Sequence, residues 1–217
     1  MVKAYKVWLD YPSNIKFALS VNAMRLEIPV KQLSAISVLI ATGAVVRVGL
    51  NWVALGVPIP IYGILVKIGL SETLAFICGF VFGPVQGFIT GALIILVSDL
   101  FTWAGLWTPF IAAIIGLLGF VGGVLRRFKQ NPSITFLGVT AVILTAVSQQ
   151  LQDIWFAWYM WAFYMPETPF LIVLATTFVE GISSMITAIV NNTILFMVVA
   201  PRIIKVLQEW VMPKSVN

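Results

Sequence analysis

Residues 73–103 read TLAFICGFVFGPVQGFITGALIILVSDLFTW, and one residue in that run carries a charge, Asp99, near its far end. About 20 consecutive apolar residues suffice to cross a bilayer as a helix. The run is therefore read as a long membrane helix. Gly79, Gly83, Gly87 and Gly91 recur within it at intervals of four. Each interval turns a helix through about 400°, so the four glycines form one slowly drifting stripe. A stripe without side chains lets another helix approach closely. Pro84 has no amide hydrogen, and it bends or breaks the helix where it stands. Two readings of the Gly83-Pro84 break stand side by side: a packing device, and the opening of a ligand cavity.

Outward from this run the rest of the chain has the same character. Of 217 residues, 60% are hydrophobic and 10% charged, and the mean hydropathy is +1.03. A soluble domain carries charge on about a quarter of its residues. Five further apolar segments, at about 33–50, 58–70, 109–125, 134–158 and 169–199, bring the count to six. Gly116, Gly119, Gly122 and Gly123 give the fourth of the six a second glycine run. The sequence predicts an all-α integral membrane protein of the cell membrane. It forms a compact bundle of about six transmembrane helices with both termini cytoplasmic. The orientation comes from charge. With the N-terminus inside, the inner segments hold every Lys and Arg except Arg47, and the outer loops hold none. Trp52, Trp103, Trp107, Trp158 and Trp161 cluster at the outer face instead. This is the positive-inside asymmetry with an aromatic belt. Three parts follow: a cytoplasmic or interfacial segment at 1–31, a six-helix domain at 32–205, and a cytoplasmic tail at 206–217.

The net charge of +5 is not a nucleic-acid signal, because the basic residues sit at the ends of apolar segments. The sequence has no His, and its one Cys, Cys78, lies in an apolar run. That leaves no catalytic residues of the Ser–His or Cys–His kind and no His/Cys metal cluster, and no cofactor is indicated. No G-x-x-x-x-G-K-[ST] loop is present, so ATP is not bound by a P-loop. An enzyme is not expected.

Ionisable residues inside a membrane are costly and normally face an interior or a wet cavity. Arg47, Asp99, Asp153 and Glu180 are four such residues. Gln149 and Asp153 are four apart in the fifth segment, with Gln152 and Phe156 flanking the same face. Glu180, Ser184, Thr187 and Asn191 form a polar stripe in the sixth. These groups make either an internal salt bridge, with Arg47 facing Asp153 or Glu180, or a pocket that opens outward. In the second case Trp155 and Trp158 are stacking surfaces, although Trp158 also suits the aromatic belt. The candidate substrate-binding set is Arg47, Asp99, Gln149, Asp153, Trp155, Trp158, Glu180 and Ser184. Carboxylates beside indoles suit a planar, partly cationic aromatic molecule such as a thiamin-like compound. Arg47 equally suits a ligand carboxylate. In the first segment Ser37, Ala41 and Ala44 give a small-residue face for docking a membrane partner or for internal packing.

The stretch Phe82-Gly83-Pro84-Val85-Gln86-Gly87, followed by Gly91 and Ser98-Asp99-Leu100, resembles the S component of energy-coupling factor (ECF) vitamin transporters. Ser37-x-x-x-Ala41 stands where that family often has A-x-x-x-A, and Ala200-Pro201-Arg202 looks like its exit from the last helix. The resemblance implies a subunit that binds a vitamin or related micronutrient from outside. It implies partners too: a transmembrane coupling subunit and two ATPases that power uptake. It also implies an outward pocket among the last three helices, gated by the loop at about 51–60. A stand-alone secondary transporter, driven by protons through Asp153 or Glu180, is the alternative from the residues alone. An intramembrane enzyme acting on lipid is a weaker third.

Overall fold

The computed structural model describes residues 29–55 and 68–211. The chain divides between Val30 and Lys31, and the helices below belong to the second part save the first residue of the first helix. The second apolar segment, at 58–70, lies outside the described residues except for its last three. Seven helices are described: α1 (Val30–Leu55), α2 (Leu70–Phe82), α3 (Pro84–Phe101), α4 (Thr108–Phe128), α5 (Ile134–Phe163), α6 (Phe170–Val198) and α7 (Ala200–Val211). Five spans are long and apolar enough to cross a membrane, and α2 is a shorter apolar helix. This is the all-helical membrane architecture that the composition demands.

The run at 73–103 is not one helix. It is the end of α2 and the whole of α3, separated at Gly83. Gly83 has a φ of 120°, which glycine alone adopts without strain. Pro84 then occupies the first turn of α3, where its missing amide costs no hydrogen bond. Arg126 of α4 donates to the carbonyl of Val81, at the end of α2 where carbonyls lack helical partners. The reversal between α2 and α3 therefore sits at the basic end of α4. The sequence segments put the corresponding turn between residues 70 and 73 instead.

The glycine runs are packing faces. A Cβ on Gly79 or Gly87 would strike the carbonyl of Gly119, and one on Gly91 that of Ile115. A Cβ on Gly122 or Gly123 would meet Phe76 or Pro84. Here α2, α3 and α4 touch backbone to backbone. Beside them Phe76, Ile77, Phe80 and Val81 are wholly buried, in a cluster that includes Leu137, Phe196 and Ile204.

Helix α5 has 30 residues, or about 45 Å at 1.5 Å per residue. A hydrocarbon core is about 30 Å thick, so the aromatic last turns of α5 reach the interface. Ser133 caps its start by accepting from the Phe136 amide at 3.2 Å. Helix α2 has 13 residues, about 20 Å, and begins deep in the bundle. Gly69, just before it, abuts Asn192 of α6, and Asn192 donates to Thr145 of α5 at 2.9 Å.

The tail expected at 206–217 begins inside a helix. In α7, Ile204 is buried and Leu207 packs against the same core cluster, so helix and packing both run past residue 205.

Candidate functional site

Three adjoining cavities lie toward the end of the bundle opposite Gly83. The first, about 130 Å³, takes walls from all six helices α1 to α6: Arg47 and Asn51, Ser71 and Glu72, Ile95, Ile111 and Ile115, Gln149 and Gln152, and Ala188. The second, about 270 Å³, shares Ile111, Gln149 and Gln152 with it and adds Trp107, Asp153, Trp155, Phe156 and Tyr159. The third, about 170 Å³, joins Arg47 and Asn51 to Asp99, Thr102, Trp103 and Trp107. Together they reach the ~300–1,000 Å³ of an ordinary small-molecule site.

Charge in this region is largely internal. Arg47 forms an ion pair with Asp99 and donates to Ser98. Asp99 is 3% exposed and accepts from Thr108 at 2.7 Å; the Thr108 hydroxyl in turn accepts from the Gly105 amide at 3.1 Å. Arg47, Asp99 and Thr108 thus link α1, α3 and α4. The expected partners of Arg47 were Asp153 or Glu180; it pairs with Asp99 instead. Asp153 packs against Gly181, where a Cβ would collide with its carboxylate.

Three amides stand in the lining beside its charged groups. Asn51, Gln149 and Gln152 each offer a donor and an acceptor. Gln152 is oriented by donating to Ser148, at 3.3 Å to the carbonyl and 3.1 Å to the hydroxyl. Glu72 accepts from the Ser71 hydroxyl at 2.9 Å. One wall is aromatic: Trp155 stacks on Phe110 at 5.6 Å and on Tyr159 at 5.4 Å, with the latter pair 13° from parallel.

Of the candidate residues, Arg47, Asp99, Gln149, Asp153 and Trp155 come together here. Trp158 does not. It is 47% exposed and meets Phe163 edge-on, as a belt residue would. Glu180 lines a further groove of about 240 Å³ between α5 and α6, which shares Phe156 with the second cavity and adds Met160, Val173 and Thr177. Ser184 is half-buried on α6 and is not among the residues around the three cavities. Sequence reading missed Ser71 and Glu72. A lone acid in an apolar stretch was the available signal, but it stood where a loop was expected. On α1, Ser37 and Ala41 are exposed while Ala44 is 3% exposed and faces inward. Ala44, expected on one face with Ser37 and Ala41, is instead packed against the bundle.

A multi-pass helical bundle closing around an amide- and aromatic-lined cavity is a membrane-embedded solute-binding protein. The family model described as the ECF-type riboflavin transporter, S component, matches residues 27–201. The chain belongs to that family, which is a family of transporter subunits rather than enzymes. No match was found among curated proteins or solved structures.

Proposed function

We propose that this protein is the riboflavin-binding subunit of an ECF-type importer, taking the vitamin from outside and relying on a coupling subunit and two ATPases for energy. The observation that carries the reading is the composite cavity, to which α1 through α6 all contribute. A flavin is planar and uncharged, with an imide edge that both donates and accepts hydrogen bonds. Gln149 and Gln152 match that edge, and Trp107 and Trp155 offer flat faces. Arg47 and Asp99 pair with each other, so the guanidinium is not left over for a ligand carboxylate.

The test is titration of the purified protein with riboflavin. Gln149→Ala should weaken binding about two- to tenfold, the worth of one neutral hydrogen bond. Glu180→Gln, outside the three cavities, should change it by less than Gln149→Ala does. Absence of riboflavin binding by the wild type would defeat the substrate assignment.

The exposed face of α1, with Ser34, Ser37 and Ala41, is the docking surface for the coupling subunit in this reading. Small side chains there let a partner helix approach closely.

A further inference from the structure

We propose that α7 and the end of α4 form a docking face for anionic phospholipid headgroups. Helix α7 is two-sided. Ala200 and Ile204 are buried, and Ile203 and Leu207 pack beside them on the core. Arg202, Lys205, Val206 and Glu209 occupy the opposite face at steps of three, one and three, and all are exposed.

Leu125, just before Arg126 and Arg127, packs against the same cluster as Ile204 and Leu207. The two basic segments therefore share one end of the bundle. Arg127, Phe128 and Lys129 are exposed there, Phe128 at 81%. Trp210 is 50% exposed one turn beyond Val206. On these two segments Arg127, Lys129, Arg202 and Lys205 stand against a single acid, Glu209. Cations flanked by exposed aromatics suit the depth where hydrocarbon gives way to headgroups.

Charge complementarity selects the occupant. An anionic headgroup satisfies the guanidinium and ammonium groups, and the acyl chains below it cover Phe128 and Val206. A zwitterionic lipid supplies no net charge for them.

The experiment is native mass spectrometry of the full chain, solubilised from bilayers containing phosphatidylglycerol and phosphatidylcholine. The wild type should retain phosphatidylglycerol in preference. Each basic residue near an anionic surface strengthens attraction about fivefold, so Arg202→Gln with Lys205→Gln should weaken retention roughly thirtyfold. Arg202→Lys with Lys205→Arg keeps both charges and should keep the preference. Riboflavin titration of the same variants reports that the fold is intact. Equal retention of the two lipids by the wild type would overturn the proposal. So would unchanged retention in the glutamine variant.

Discussion

Asp99 is the residue on which the site's architecture turns. It accepts from Arg47 and from Thr108, and so ties three helices together beside the cavity. Asp99→Asn keeps an acceptor for Thr108 but leaves Arg47 without its countercharge. Removing one partner of a buried pair costs about 3–5 kcal/mol. Arg47 keeps 26% of its exposure, and water that reaches it brings the cost toward the lower end. A clear fall in melting temperature is expected, followed by scanning fluorimetry. A variant as stable as wild type would show that the pair is not structural. The tryptophans make a second contrast. Trp155 stands in the cavity wall and Trp158 on the outside. Trp155→Ala should therefore weaken riboflavin binding by about tenfold, as loss of an aromatic contact worth about 0.5–1.5 kcal/mol and of buried area implies. Trp158→Ala should leave it within about twofold. Calorimetric titration of both variants decides, and equal losses would mean that the aromatic wall is not the binding surface.

At the level of elements, the sequence shows which segments are helical and hides how two of them turn. The glycine stripe at 79–91 announces close packing because a four-residue step keeps to one face of a helix, and the backbone contacts with α4 follow from it. The stripe cannot show that the chain reverses inside it. The residues on both sides of Gly83 are equally apolar, so hydropathy has no edge there. The same uniformity concealed Glu72, which counted as loop only because a turn was expected between residues 70 and 73. Trp155 and Trp158 were inseparable for a related reason. A helix in lipid is apolar nearly all round, and periodicity then gives no inward direction. On α1, by contrast, the structure separates two alanines that spacing joined. Ala41→Trp should abolish copurification with the coupling subunit and leave riboflavin binding intact. Ala44→Trp should instead overpack the bundle, destabilising it by about 1–3 kcal/mol. Pull-down and thermal melting of the pair distinguish the faces; loss of riboflavin binding in Ala41→Trp would make both internal.

For the whole molecule the question is where the energy for uptake comes from. In the proposed reading ATP acts through another chain, and the sequence carries no P-loop of its own. A proton-driven carrier would use a membrane carboxylate that exchanges protons with both sides. Asp99 serves that role poorly, since Arg47 and Thr108 hold it and it is 3% exposed. Asp153 faces the cavity and packs on Gly181, and Glu180 lies in its own groove. Gly83 is not among the described residues that line these cavities or the groove. Vesicles holding this protein alone should accordingly bind riboflavin and accumulate none, whether or not a pH gradient is imposed. Accumulation should appear when the coupling subunit, the two ATPases and ATP are added, and it should vanish with a non-hydrolysable nucleotide. Uptake driven by the pH gradient in vesicles of the single protein, and lost in Asp153→Asn or Glu180→Gln, would establish the stand-alone carrier in its place. The two mechanisms thus differ in an observable that needs no structure of the complex, because binding without transport is possible only for a subunit whose work is completed by others.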